Sequence, residues 1–486
     1  MNVRTRYAPS PTGTPHLANM RVALFDWLLA RRNGGAFILR IEDTDQNRLV
    51  EGAVDEQIEA LTWLGLDWDE GPDKGGPFTP YVQSQRLNLY QDAAQRLLTE
   101  DKAYPCFCTA ERLDQLRARQ TAAKQAPGYD RLCRWLTPAD RQQRIAAGEP
   151  YVVRFAVPLE GETGFADVIR GEVVVQNSTL DDFVILKSDG YPTYHLASVV
   201  DDHHMQISHV IRGEEWIPSA PRHQLLHQAL GIGPPFFVHL PLILGPDRRK
   251  LGKRHGAAGV LEYRQGGYLP EALINFIALL GWSLDDRTEV IDRSTMLETF
   301  TLERLSPNPG IFDPDKLRWM NGEWIRRLDE DDLAQRILPY LVRELPETAD
   351  EADPVLVRRI VPLIQTRMEV LTDAYPLTAF FFTQEILVTA DDLLGKRFRD
   401  EPAAAVMALD TAAKALAGLA AWTHTEIEGL MRALTEELGL KPRDFFGLVR
   451  MAVTGAAVSP PLFESLEILG REKTLERLAR ARMVLE

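Results

Sequence analysis

The run that most constrains this chain is Tyr7-Ala8-Pro9-Ser10-Pro11-Thr12-Gly13-Thr14-Pro15-His16-Leu17-Ala18-Asn19-Met20-Arg21. A short extended segment, Val3 to Ala8, enters prolines and a glycine that forbid helix. A helix is expected to start near His16, because Leu17, Met20, Leu24, Trp27 and Leu28 recur at spacings of three and four and make one apolar face. Gly34-Gly35 end it, and Phe37-Ile38-Leu39-Arg40-Ile41 reads as a second strand. Strand, helix and strand within about forty residues form a βαβ unit of the doubly wound kind, whose ligands lie beyond the strand C-termini. Neither glycine-rich phosphate fingerprint, G-x-G-x-x-G or G-x-x-x-x-G-K-[ST], follows the first strand.

Farther on, Val54, Ile58, Leu61 and Leu64 predict a helix ended by Gly65, and another helix runs from about Ser84 to Leu98. From Tyr104 to about Leu186 short alternating segments, Tyr151 to Phe155 and Glu172 to Val175, suggest an antiparallel insertion. Phe183 to Leu186 and Thr193 to Leu196, joined by Ser188-Asp189-Gly190, read as a hairpin. From about Arg249 the pattern is mainly helical, with no fixed repeat.

A chain of 486 residues is too long for one core, and its 45% hydrophobic and 26% charged residues are ordinary for a globular protein. Its net charge of −15 excludes a generally basic nucleic-acid coat, although a local basic patch suffices to contact phosphates. Three cysteines point to a reducing compartment. Met1 to Ser10 has no apolar signal core, and Asp410 and Lys414 interrupt even the alanine-rich stretch Ala403 to Trp422. A cytoplasmic protein without a membrane span is expected.

Several ordered motifs then carry a resemblance. Arg6 to Arg21, Arg40-Ile41-Glu42-Asp43-Thr44-Asp45 and Lys250-Leu251-Gly252-Lys253-Arg254 resemble the bacterial glutamyl-tRNA synthetases, which are class I aminoacyl-tRNA synthetases. His16-Leu17-Ala18-Asn19 stands where that class has its HIGH signature, and Lys250 to Arg254 where it has KMSKS. The likeness continues through Ser188 to Ala197, Leu317 to Gly322 and Ser459 to Glu464. It implies an α/β fold, a Rossmann-type doubly wound parallel sheet with an inserted α+β acceptor-binding domain and an all-α C-terminal region. Residues 1–103 and 187–245 would be the two halves of the catalytic domain, and 104–186 the inserted connecting domain. Residues 246–322 would carry the lysine loop and a stem-contact helical domain, and 323–486 the anticodon-binding region.

Joining glutamate to ATP brings two anions together, so the site must supply cations and N–H donors where charge develops. His16 at a helix N-terminus suits this. The resemblance implies that His16, Ala18, Asn19 and Lys253 contact ATP, and that His16, Lys250 and Lys253 act in the reaction. Five basic side chains fall in the seven positions from Arg248 to Arg254, between glycines that favour a mobile loop. Arginine is the residue for a carboxylate because its planar fork bonds both oxygens. By resemblance Arg6, Ala8, Ser10, Glu42, Tyr194 and Arg212 line the glutamate pocket, with Glu42 suited to the ammonium. Glu42, Asp43 and Asp45 also read as candidate ligands for the Mg²⁺ expected with ATP. Three positions depart from the family pattern: Ala18 for glycine, Gly252 for serine and Ser198 for asparagine.

Cys106-x-Cys108, 24 residues and Cys133 have the spacing of some family zinc sites, but Trp135 stands where those members have histidine. Tyr129 or water would have to complete the tetrahedron, so zinc is not expected and a packed knuckle is. His203 and His204, beside Asp201-Asp202, are read as strand neighbours pointing apart, hence not one metal site. Arg367 matches a family arginine that inspects the anticodon, and a surface role fits it equally. The implied partners are L-glutamate and tRNA(Glu), with tRNA(Gln) left open, and a monomer is expected. The alternative is a catalytically weak paralogue that binds tRNA or regulates.

Overall fold

β1 (Arg4–Tyr7) is buried along its whole length and pairs in parallel with β2 (Ala36–Leu39), Arg4 opposite Ala36 and Tyr7 opposite Leu39. Parallel neighbours need a crossover, and α1 (Leu17–Arg32) supplies it, burying Leu17, Met20, Leu24, Trp27 and Leu28. This computed structural model describes residues 2–252 and 258–486. The chain divides into two compact units, Met1–Tyr263 with Leu273–Pro314, and Arg264–Ala272 with Asp315–Glu486.

In the first unit the sheet grows on both sides of β1 and β2. Ile38 and Ile41 bridge in parallel to Glu70 and Val82, and the N–H of Ser208 donates to the carbonyl of Arg4 at 2.9 Å. α2 (Ala53–Leu64) ends at Gly65, whose φ of +64° is left-handed, and α3 (Leu87–Thr99) follows a short 3-10 turn. β3 (Ala103–Cys106), β4 (Val152–Phe155) and β7 (Val184–Leu186) make an antiparallel sheet in the order β3-β4-β7. Between β3 and β4 lie α4 (Ala110–Ala122) and α5 (Pro138–Ala146). The hairpin of β5 (Glu162–Asp167) and β6 (Gly171–Gln176) joins β8 (His209–Gly213) and β9 (Phe236–Leu240) in the order β6-β5-β9-β8. The segment 104–186 is thus shared between two sheets. β8 and β9 run parallel, and β9 is buried from Phe237 to Leu240, as a strand covered on both faces requires.

One sequence expectation fails here. Thr193 to Leu196 is no second hairpin strand: the chain turns at Gly190 (φ +84°), makes a single bridge between Leu186 and Pro192, and enters α6 (Tyr194–His204). Pro192 has no N–H with which to continue a ladder. Leu196, Val199 and Val200 instead recur at helical spacing and bury against α7 (Ala220–Leu230) and α3. His203 and His204 therefore close a helix rather than alternate along a strand.

The second unit is helical. Helices Glu330–Glu344, Pro354–Ile364 and Ala374–Phe382 surround a core that includes Leu333, Ile337, Ile360 and Phe382. Helices Pro402–Ala417 to Arg471–Leu485 surround another, in which Ala405, Ala408 and Ala412 are fully buried. No helix of the described residues is long and apolar enough to cross a membrane.

Candidate active site

The carboxyl ends of β1, β2, β8 and β9 open onto one cleft of about 1000 Å³. Open α/β sheets place their ligands at such ends. Arg6, Ala8, Ser10, His16, Ala18, Asn19, Glu42, Tyr194, Arg212 and Lys250 all border it. Lys253 lies outside the described residues, and Arg367 belongs to the second unit.

His16 is the residue before α1, extended (φ −103°, ψ 165°) and exposed, with its N–H donating to Asn19 Oδ1 at 3.3 Å. The N-terminus of α1 borders the cleft, and Ala18 and Asn19 are exposed there. His16 bridges antiparallel to Gly259, and the N–H of Val260 donates to Pro15 at 3.0 Å. On the other side of the lysine loop, Leu251 follows Ile243 (2.9 Å) and a tight turn closes from Gly245 to Arg249 (2.8 Å), leaving Lys250 exposed at the cleft. Both described flanks of the loop thus reach the cleft wall. A β-carbon built on Gly252 meets nothing within 4 Å, so space does not demand the glycine that replaces the family serine.

Beneath the cleft floor lies a layer of buried charge. Asp202 Oδ1 accepts from Arg6 Nε at 3.1 Å and from Arg40 Nη1 at 2.8 Å, while Arg40 Nη2 donates to Glu42 Oε1 at 2.8 Å. Burial opposes the charge on Asp202, but Arg6 and Arg40 outweigh it and hold the carboxyl below its usual range. Burial raises Glu42 in spite of Arg40. Ser198 sits here too, its hydroxyl 3.4 Å from Asp202, and does not border the cleft. Asp43 accepts the N–H of Ser84 at 2.8 Å. Among the described residues Glu42, Asp43 and Asp45 do not converge as one metal-ligating group.

Asp26 on α1 is wholly buried in the same layer, and neither carboxyl oxygen has a hydrogen-bond partner. Burial lifts its carboxyl well above the usual range, against the pull of Arg6. A carboxyl raised in the folded state costs stability that grows as pH climbs past its unfolded value. Asp26→Asn is therefore expected to raise Tm, and by more at pH 8 than at pH 5. An equal gain at both values contradicts the charge argument.

Arg212, at the end of β8, is differently placed. It is buried, and its guanidinium is held by neutral groups: His239 Nε2 at 3.0 Å, Tyr194 Oη at 2.8 Å and the carbonyl of Trp216 at 3.4 Å. No carboxylate of the described residues pairs with it. A buried cation facing a cleft without a counter-ion favours an anionic ligand. Tyr194, its ring 4.5 Å from that of Trp216, accepts from Arg212 and keeps its own O–H for that ligand.

Away from the cleft, the sulfurs of Cys106, Cys108 and Cys133 lie within 4.8 Å of one another, the last two 3.5 Å apart. Tyr129 Oη is 3.3 Å from Cys106 and 3.7 Å from Cys108, while Trp135 is exposed. A thiol hydrogen bond from Cys133 draws the Cys106 thiol below its usual range. The three sulfurs lie close enough to share one cation, with the Tyr129 phenol beside them.

Sequence reasoning gave no role to Arg40, Asp202, Lys187 or Trp216. Arg40 was visible beside Glu42, whereas Asp202 finds its arginine partners only through the fold.

Such a cleft, with an exposed helix N-terminus and a buried arginine whose partners are all neutral, is that of a nucleotide-using enzyme that handles an acidic substrate. Residues 2–319 match the catalytic domain of class I tRNA synthetases (E and Q), and 332–482 an anticodon binding domain. The chain belongs to the class I tRNA synthetases of the glutamate–tRNA ligase family. A glutamate–tRNA ligase of Dehalococcoides mccartyi strain 195 is 53% identical over 99% of this chain and 97% of its own. That of Moorella thermoacetica is 47% identical over 99% and 98%. A crystal structure of a glutamate tRNA ligase from Elizabethkingia meningosepticum, in complex with its amino acid, superposes with a TM-score of 0.91 at 35% identity over the whole of both chains.

Proposed function

We propose that this chain ligates L-glutamate to the 3′ end of tRNA(Glu) at the expense of ATP, through a glutamyl-adenylate. The observation that carries the reading is the buried, carboxylate-free Arg212 sharing a cleft with the exposed N-terminus of α1. The α-carboxylate attacks the α-phosphorus of ATP, a new O–P bond forms, and pyrophosphate leaves with the electrons of the broken bond. The terminal ribose hydroxyl of tRNA then attacks the activated carbonyl, and AMP departs. Alignment and electrostatics supply most of the rate.

Each site residue has a part. His16, the first-turn N–H groups, Lys250 and Lys253 take the phosphates, and Ala18 and Asn19 lie against the adenosine. Arg212 and Tyr194 take the side-chain carboxylate, and Glu42 with the Ala8–Ser10 edge takes the ammonium. Arg6, held by Asp202, lines the same pocket. Mg²⁺ comes with the phosphates, since no group of described carboxylates converges to cage it. Bound there, the ion would neutralise charge on the leaving pyrophosphate. Glutamate-dependent pyrophosphate exchange with tRNA(Glu) present tests the reading. Folded protein that binds tRNA without exchange favours the weak paralogue.

For tRNA, residues 104–186 meet the acceptor end, 246–322 the stem and 323–486 the anticodon. Arg367 donates to the carbonyl of Ser459 at 2.9 Å, and Arg450 to the Ser459 hydroxyl at 3.1 Å. Neither arginine has a carboxylate partner among the described residues, which suits a contact with RNA rather than a surface ion pair. Charging tRNA(Glu) and tRNA(Gln) in parallel decides discrimination. The enzyme works as a cytoplasmic monomer.

Against the packed knuckle expected from the sequence, the convergent cysteines would hold Zn²⁺ as a structural ion, with Tyr129 standing in for the missing histidine. Metal analysis is expected to find about one zinc per chain, and chelation to loosen residues 103–135 without removing the α/β sheet. Zinc-free protein of unchanged stability marks a packed knuckle instead.

A further inference from the structure

A long arginine side chain has many rotamers, and only a fixed one presents its fork to a carboxylate at low cost. Besides Tyr194 and Trp216, a third partner fixes Arg212 from behind the cleft-lining residues. Its Nε–H donates to His239 Nε2. A ring nitrogen that accepts carries no proton, so the neutral imidazole keeps its hydrogen on Nδ1. That nitrogen lies 2.6 Å from Asp167 Oδ2.

Asp167 is itself held from every side. Oδ2 also accepts the backbone N–H of His239 at 3.0 Å, and Oδ1 accepts those of Ile169 and Arg170 at 3.0 and 2.8 Å. It closes β5 and pairs with Phe237 of β9, so the two neighbouring strands meet at this contact. The His239 ring is fully buried, edge-on to Phe165 (6.0 Å) and stacked with Phe237 (6.1 Å), which shield the relay from water. Burial lowers His239, and Asp167 stays below the usual carboxylate range against burial because His239 and the backbone N–H groups bond to it. Both effects preserve the same tautomer.

We infer that Asp167 and His239 are positioning residues for the amino-acid site: the carboxylate sets the ring tautomer, and the ring sets the pose in which Arg212 meets the substrate's side-chain carboxylate. The inference rests on the role proposed for Arg212.

The test is glutamate-dependent pyrophosphate exchange, with tRNA present, for the parent, His239→Leu, His239→Gln and Asp167→Asn. His239→Leu is expected to raise the KM for glutamate at least about tenfold while the KM for ATP stays within about twofold. Glutamine offers Arg212 an oxygen and Asp167 an N–H, so His239→Gln stays within about threefold of the parent. Asp167→Asn turns an amide N–H toward Nδ1 and drives the ring proton onto Nε2, against Arg212; its glutamate KM rises as in His239→Leu. Equal impairment by Gln and Leu, or a matching rise in the KM for ATP, overturns the positioning role. Nitrogen-15 NMR of the histidine-labelled parent checks it without any variant: protonated Nδ1 and unprotonated Nε2 support it, and the reverse overturns it. A parent inert toward glutamate removes the reading of Arg212. An active parent with unaffected variants removes only the positioning role.

Discussion

Arg212→Ala will lower kcat/KM for glutamate by roughly 10²–10³-fold, the loss of one partner from a buried charged pair. The effect is this large because, among the described residues, two other buried arginines of the site are already paired with carboxylates. Arg6 donates to Asp202, and Arg40 is shared between Asp202 and Glu42. Arg212 alone of the three has only neutral partners. The loss will fall on glutamate, with the KM for ATP within about threefold of the parent. Arg212→Lys will not restore activity, since a single ammonium cannot satisfy His239 and Tyr194 and still fork a carboxylate. Steady-state exchange kinetics with each substrate varied in turn will check this, and equal losses for both substrates would contradict it.

The second large effect is on stability. Asp202→Ala strips the shared counter-ion from two buried guanidiniums, and breaking such a set by removing one member costs about 3–5 kcal/mol. That is a large part of what usually holds a domain together. Urea unfolding is expected to show a lower midpoint, with the cost complete at neutral pH. The folded carboxyl lies below its unfolded value, so its contribution is present above that value, near pH 4, and is lost as pH falls through the folded one. The gap between parent and variant must therefore narrow in acid. A gap that stays constant as the pH falls would mean that the ion pairs contribute little.

The legible parts of the fold were those written locally. α1 could be found because five apolar residues three and four apart follow two prolines, and Gly65 marked the end of α2 through its left-handed turn. Thr193 to His195 misled because its residue types suit a strand as well as a helix; burial of Leu196 and Val200 against α3 and α7 decided the matter, and those neighbours are distant in the chain. The charge layer was illegible for the same reason: Asp202 lies 196 residues from Arg6 and 162 from Arg40. Individual site residues were readable where they stand in ordered motifs, as His16, Glu42 and Lys250 do. The supports of Arg212, namely Asp167 and His239, sit in stretches with no motif, 72 residues apart, and only strand pairing joins them.

The most direct test of the account is a crystal structure of the full chain with a non-hydrolysable glutamyl-adenylate analogue. It should place the side-chain carboxylate within hydrogen-bond distance of Arg212 and Tyr194, with the phosphate mimic over the N-terminus of α1 at His16. An analogue whose carboxylate lies instead against Lys187, or whose nucleotide lies away from α1, would contradict it.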